Sequence, residues 1–279
     1  MNMFYDMPPY GVYAPTPNQA RFIRWSRSFD PGPLSKLAAS FCKRLLFPSL
    51  SGPLDIETWG LKTRIDPRKN ITEKRLMFSP SRFELEEREI LATWLKKGDV
   101  FVDVGANVGA YSLWAGQFIG QSGRIVAIEP QPGVLGRLRA NFALNPHMNT
   151  QVFACGAGAA HGLMYLSIGS NNEGGASLAT ISGGRDEIEV IVRPLLSIVE
   201  EARLYRIDAL KIDIEGFEDR AMIPFYAEAP SALHPRLLII ERGEKDWVQD
   251  LMGVIEKIGY RLLVSTKRNH VFELGTRSD

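Results

Sequence analysis

The chain is poor in the residues that build metal and disulfide frameworks. Its 279 residues include two cysteines, Cys42 and Cys155, and four histidines. Two distant cysteines cannot make a disulfide framework or a zinc cluster, and no histidine pair has HExxH-type spacing. Charge of one sign is not in excess. The formal net charge is +1, which excludes an overall basic field and with it a general nucleic-acid binder. No apolar run reaches the roughly 18–20 residues that cross a bilayer. The opening "MNMFYDMPPYGVYAPTPNQA" lacks the basic start and apolar core of a secretory signal. A reducing cytoplasm is the expected setting.

What is present is organised unevenly. Residues 1–20, rich in Pro, Tyr and Asn, read as loose or draped over the surface. Residues 34–47, "LSKLAASFCKRLLF", carry Leu34, Leu37, Ala38, Phe41, Leu45 and Leu46 at helical spacing. That helix packs on the main domain, forms a homodimer contact, or lies as a basic amphipathic helix on a membrane surface. Residues 54–65 alternate like a hairpin around Gly60. Next comes a helix with Ser81 as N-cap, Glu84 three residues on, and Gly98 as its stop. Residues 1–80 are therefore expected to be an N-terminal extension, and 81–279 the principal domain.

From Asp99 the pattern alternates strand and helix. Strands are expected at 100–104, 124–128, 150–154, 208–214, 236–240 and 260–265, and helices near 108–119, 131–144, 195–204, 216–227 and 244–258. This is an α/β fold, a Rossmann-like doubly wound sheet of seven mostly parallel strands. "HVFEL", after the turn Lys267–Arg268–Asn269, closes it with an antiparallel hairpin. An inserted pair of strands, "LMYLSI" and "EIEVIVRP", brackets a polar, glycine-rich loop over 169–186.

The stretch "VFVDVGANVGAYSLW" over 100–114 places a glycine-spaced turn where open α/β sheets bind ligands. A dinucleotide turn wants G-x-G-x-x-G. Counting from Gly105, the second glycine is replaced by Asn107 and the third by Ala110. Asp103 adds a carboxylate near the place a diphosphate would occupy, a repulsion of about 4 kcal/mol per unit pair at an effective dielectric near 20. The same charge would attract an ammonium or sulfonium, and S-adenosylmethionine has both and no phosphate. Glu129, ending "IVAIEP", stands where a carboxylate binds ribose hydroxyls. The donor-binding candidates are Asp103, Gly105, Ala106, Asn107, Gly109, Glu129, Pro130 and Gly156. An NAD(P)-dependent oxidoreductase on the same sheet is the rival reading, and a nucleoside-binding partner without turnover is another.

"DVFVDVGANVGAYSLWAG", "IVAIEPQP", "LKIDIEGFED" and the terminal hairpin resemble the FkbM-type family of S-adenosylmethionine-dependent methyltransferases, over roughly residues 98–270. The first motif alone says class I methyltransferase; the DVGAN-x-G and KID-x-EG-x-E pair at this order and spacing is more specific. The resemblance implies O-methylation of a hydroxyl on a saccharide, glycolipid or polyketide-type acceptor.

Within "LKIDIEGFED", alternation puts Lys211, Asp213 and Glu215 on one side of a strand. Three charges at the end of a central strand need partners. Either they tie the sheet to a helix, or they line the cleft where the acceptor meets the methyl donor. In the second case a carboxylate takes the hydroxyl proton: Asp213 first, Glu215 second, with His270 as a third base. Asn171, Asn172, Glu173 and Ser177 of the inserted loop, together with Glu241 and Asn269, are candidate acceptor contacts, the loop acting as a lid. Asp213, Glu215 and Glu241 are only a partial oxygen set for Mg²⁺, and no metal is expected.

Overall fold

The computed structural model describes residues 7–30, 32–169, 172–179 and 187–275. The N-terminal part is more ordered than its composition suggests. Helix α1 (Pro17–Arg27) starts on a capping box, in which Thr16 and Gln19 each satisfy the other's backbone N–H, with Pro17 in its first turn. The expectation of a loose segment through residue 20 is corrected there, because the cap lies among prolines that mask it. Helix α2 (Ser35–Leu46) follows. Strands β1 (Leu54–Thr58) and β2 (Leu61–Ile65) pair antiparallel. Trp59 and Gly60 between them both have positive φ, 55° and 79°, as a two-residue type I′ turn requires.

Helix α3 (Ile71–Phe78), absent from the sequence reading, is capped by Asn70, whose side chain accepts from Thr72 N at 2.8 Å. Helix α4 runs over Leu85–Trp94. It starts later than Ser81 and stops before Gly98. The buried Arg88 guanidinium donates to the carbonyls of Pro80 and Ser81, and Ser81 N is held by Asp30 at 2.6 Å. These bonds fix residues 80–82 in a separate 3₁₀ turn. Ile23, Cys42, Leu46, Ile56, Ile65, Met77 and Phe78 form the core of this part.

The main sheet is built from β3 (Val100–Val104), α5 (Ala110–Ile119), β4 (Arg124–Ile128), α6 (Pro132–Ala143) and β5 (Thr150–Phe153). An inserted sheet follows, of β6 (Gly156–Gly158), β7 (Gly162–Gly169), β8 (Asn172–Ala179) and β9 (Glu187–Pro194), in the order β6-β9-β7-β8. The stretch expected to be wholly loop thus contains a strand, since β8 pairs antiparallel with β7. The chain then returns through α7 (Leu195–Glu201), β10 (Ala209–Ile212), α8 (Glu218–Glu228), β11 (Leu237–Glu241), α9 (Leu251–Ile258), β12 (Tyr260–Ser265) and β13 (Asn269–Leu274).

The seven-stranded order is β12-β13-β11-β10-β3-β4-β5. All ladders are parallel except those of β13, which lies antiparallel between β11 and β12. Strands covered on both faces should be apolar on both faces, and the central ones are except at Asp103 of β3 and Lys211 of β10. Val102, Val104, Val126, Leu210 and Ile240 pack with α7, α8 and α9, while Phe101, Ile125 and Ile239 pack on the other side with α4 and α5. Two boundaries bear on function. Strand β10 ends at Ile212, so Asp213–Glu215 lie beyond the ladder, with Glu215 and Gly216 at φ 55° and 92°. Helix α9 begins at Leu251, not 244, because Asp250 caps it through Gly253 N at 2.9 Å and 243–250 turn on themselves. Chain order reverses beside β3, between β4 and β10, and that crevice is where such sheets bind ligands.

Candidate functional site

The turn after β3 is a bonded unit before any ligand arrives. Gly105 N and Ala106 N both donate to Ile128 O, each at 3.0 Å, and Gly109 N donates to Ala106 O at 2.8 Å. Asn107 N donates to Glu129 Oε2, and Val108 N to the Asn107 side chain, both at 2.8 Å. Every backbone N–H from Gly105 to Gly109 is therefore used inside the chain. Gly105 sits at φ 76°, and a Cβ there would fall 1.9 Å from Asp213 O, so only glycine lets the turn touch the β10 loop. Asn107, also left-handed at φ 53°, accepts from Asn70 Nδ2 at 2.7 Å. That bond fastens the cap of α3 to the turn.

A cleft opens above this turn, over the carboxyl ends of β3, β4, β10 and β11. Of the expected donor-binding residues, Gly105, Ala106, Asn107, Glu129, Pro130 and Gly156 line it. Asp103 does not, which corrects its expected contact with the donor. Its side chain is buried below the turn, where Oδ2 accepts from Ser112 N at 3.1 Å and Ser112 Oγ at 2.6 Å. Strand alternation turns it toward α5, so it anchors that helix. Its other oxygen, Oδ1, is buried without a hydrogen-bond partner. Burial pushes its carboxyl up, against the pull of Lys211 on the neighbouring strand. Gly109, at φ 85°, is also outside the lining; a Cβ there would meet Leu138 at 2.7 Å, so it serves helix packing.

The acids at the other end are crowded. Asp213, Glu215 and Glu241 all line the cleft. Lys211 Nζ donates to Asp213 Oδ2 at 3.0 Å, and Asp213 and Glu241 share a side-chain hydrogen bond. Burial works against charge on both, but Lys211 and the bond from Glu241 hold Asp213 below the usual carboxylate range. Burial and the Asp213 charge push Glu241 up to about 9. At neutral pH the pair therefore holds one proton, on Glu241, and one negative charge, on Asp213. Burial, then Asp213 and Glu218, also raise Glu215.

Glu129 contrasts with that pair. Its two oxygens accept from Asn107 N and from Gln131 N, at 2.8 and 2.9 Å. Burial nonetheless lifts it to about 7, the two N–H bonds opposing. Each oxygen keeps a lone pair for a hydroxyl donor. Cys155 also lines the cleft. Burial raises its thiol to about 11, so it is not a reactive thiolate.

Two further expectations are corrected. His270 is outside the lining: it is buried, with Nε2 against Glu244 Oε1 and its ring beside Phe272. Asn269 is buried too, and Nδ2 donates to Glu87 Oε1 at 2.9 Å, tying the terminal hairpin to α4. In both cases β13 is an interior strand whose side chains are taken up by neighbours. Their hairpin neighbour Arg268 reaches the cleft instead. Asn171 lies outside the described residues. Asn172 and Ser177 are placed by backbone only, in β8, which approaches α3 and α6.

The sequence reading missed one wall. Ile71, Thr72 and Arg75 of α3, with Phe83, Glu84 and Tyr111, also line the cleft. Glu84 accepts from Arg75 Nη1 at 2.9 Å and from Tyr111 Oη at 2.7 Å, and Lys211 Nζ stands 5.1 Å from the Tyr111 ring centre. A polar chain thus runs from Arg75 through Glu84, Tyr111 and Lys211 to the Asp213–Glu241 pair. "NITE" at 70–73 was the available signal, an Asn cap with Glu three residues on. Five carboxyl groups and three cations stand along the lining, and with the proton on Glu241 the two signs come close to balance. Among the described residues, no group of three or more His, Cys, Asp or Glu is placed to hold a metal ion. No described helix is long and apolar enough to cross a membrane.

No curated protein matches the chain. Solved structures resemble it distantly. A methyltransferase from Pyrococcus furiosus is 16% identical, with 87% of this chain and 100% of that one covered at a TM-score of 0.42. An rRNA methylase from Streptococcus thermophilus is 12% identical, covering 70% and 98%, also at 0.42. A SAM-dependent O-methyltransferase from Thermotoga maritima is 12% identical, covering 70% and 67%, at 0.40. At this distance they say nothing of the acceptor. Residues 103–262, from the strand before the glycine turn to the terminal hairpin, match the methyltransferase FkbM domain, and with more than half its length so matched the chain belongs to that family of methyltransferases.

Proposed function

We propose that the protein transfers the methyl group of S-adenosylmethionine to a hydroxyl oxygen of a saccharide, glycolipid or polyketide-type acceptor. The observation that carries the choice of donor is the turn itself. With every N–H from Gly105 to Gly109 spent internally, a diphosphate finds none of the donors that dinucleotide turns present. The carboxyl groups of Asp213, Glu215 and Glu84 along the cleft suit a ligand with a cationic tail. Glu129 would hold the ribose hydroxyls, and the strand end at Gly156 would border the base.

Bound there, S-adenosylmethionine supplies a methyl group on a positively charged sulfur, already a good leaving group. The chain has two tasks left: to align the acceptor hydroxyl and to receive its proton. Asp213 is ionised, and its side chain is 31% exposed into the cleft, so it can accept a hydrogen bond from a hydroxyl. It is a weak base. That suffices, because the hydroxyl becomes strongly acidic only as its oxygen forms the new bond to carbon. Lys211, whose ammonium lies over the Tyr111 ring, keeps the carboxylate in place. The proton on Glu241 spreads the charge of the pair and keeps both acids from ionising together. The inserted sheet, whose Leu166 lines the cleft and whose β8 approaches α3, acts as the cover that excludes water.

The test is calorimetric titration with S-adenosylmethionine, S-adenosylhomocysteine, NAD and NADP. The proposal expects saturable binding of the first two only. Tight binding of NAD or NADP with none of the sulfonium or its product would overturn it.

A further inference from the structure

Helix α2 is folded with its large side chains outward. It buries Ser35, Ala38, Cys42 and Leu46, while Leu34, Leu37, Phe41 and Leu45 are 53%, 69%, 52% and 45% exposed. The exposed four recur at three- and four-residue steps, so they form one stripe. Trp25 of α1, itself 43% exposed, joins the stripe with its ring 5.8 Å from that of Phe41. A helix normally gains stability from each large apolar side chain it buries. Here Ser35, Ala38 and Cys42 take the inner face, joined by Leu46 at its end, and four large side chains remain in water. Such a patch marks an interaction surface.

The charges around it identify the partner's chemistry. Residues 17–50 contain six basic residues and one acid, a net +5, against +1 for the whole chain; all the rest therefore sums to −4. Arg27 turns inward to the carbonyls of Met77, Glu57 and Leu76. Arg21, Arg24, Lys36, Lys43 and Arg44 are exposed. The single acid, Asp30, is engaged by Ser81 N and Ser35 Oγ. Lys43 and Lys74 both lie over the Phe47 ring, at 5.5 and 5.8 Å. Burial, and then the charge of Lys43, lower the Lys74 ammonium, and an anion beside both would relieve that repulsion.

We propose that α1 and α2 form a pad that seats the protein on an anionic lipid surface. The Trp25–Leu37–Phe41 stripe enters the headgroup boundary, and the ring of Arg and Lys meets lipid phosphates. Self-association through this face is disfavoured by the same charges, because an isologous contact would set the cationic rim against itself. The pad adjoins the cleft through α3, which packs on α1 and carries Lys74 beside the pad and Thr72 and Arg75 in the cleft wall.

The experiment is co-sedimentation of the full chain with phosphatidylcholine vesicles, with and without about one-third phosphatidylglycerol. Binding is expected on the anionic vesicles and should weaken as salt rises. Replacing Lys36, Lys43 and Arg44 by Gln should weaken it about a hundredfold, at about fivefold per cation. Leu37→Gln with Phe41→Gln should weaken it at least about tenfold with all cations retained. Both positions are exposed, and the circular dichroism and melting temperature of each variant check that the fold persists. Three results would overturn the proposal: no sedimentation with anionic vesicles at millimolar lipid, unchanged binding by the Leu37→Gln, Phe41→Gln variant, or a solution dimer that this variant dissociates.

Discussion

The cleft has two ends that hold acids in opposite ways. At the β4 end, Glu129 is fixed by backbone: two N–H groups from rigid turns point at it. At the β10–β11 end, Asp213 and Glu241 are held by side chains, by each other and by Lys211. A carboxylate fixed by main-chain donors has one geometry and suits a ligand bound the same way in every turnover. Carboxyl groups that share a proton can change protonation with little movement, which suits a group that must receive one. If the proposed function holds, Glu129 is the binding acid and Asp213 the reacting one, and what holds each sets them apart.

The comparison can be broken at the point where the ends meet. Gly105→Ala should do the most damage, because the new Cβ would lie 1.9 Å from Asp213 O at a φ of 76°. A loss on the order of 3 kcal/mol is expected, read in denaturant melts, with donor binding lost as well. Next is Asp213→Asn. Incorporation of labelled methyl into acceptor should fall roughly 10²–10⁴-fold while S-adenosylhomocysteine still binds; normal turnover would remove Asp213 from the role of base. Glu129→Gln should act in the opposite sense, weakening donor affinity about tenfold or more through loss of charge-assisted bonds.

The smallest effect sharpens the contrast through pH. Glu129 and Glu241 rise from 4.5 when unfolded to about 7 and about 9 when folded. A raised folded pKa means the folded state binds the extra proton, so stability is full below about pH 4.5 and is lost as pH climbs through the folded value. Asp213, which is lowered, contributes in the other direction: its share is present above its unfolded value and is lost in acid. The melting temperature of the ligand-free protein should therefore decline between about pH 5 and 9. Glu129→Gln should lessen only the lower part of that decline, up to about 7, whereas Glu241→Gln should lessen it throughout and abolish the part that continues to about 9. Identical profiles for the two variants would contradict the contrast.

The glycine turn, Glu129 and the acid-rich end of β10 were legible because each is local: a buried strand, then a residue whose type only makes sense at a strand end. Boundaries failed where side chains overruled pattern. Arg88, reaching back to Pro80 and Ser81, delayed α4 until Leu85. Asp103 was misjudged because its residue type matched a ligand contact, while strand alternation turned it toward Ser112. His270 and Asn269 were misjudged because a terminal hairpin reads as an exposed edge, whereas β13 is an interior strand. The α3 wall was invisible for a different reason. Asn70 meets Asn107 across 37 residues of chain, and no local periodicity reports such a contact.

The most direct measurement is calorimetric titration of S-adenosylhomocysteine into the wild type, Glu129→Gln and Glu241→Gln. The account predicts saturable binding by the wild type, an unchanged affinity for Glu241→Gln and a clear loss for Glu129→Gln. Equal losses in both variants, or a wild type that ignores the ligand, would contradict it.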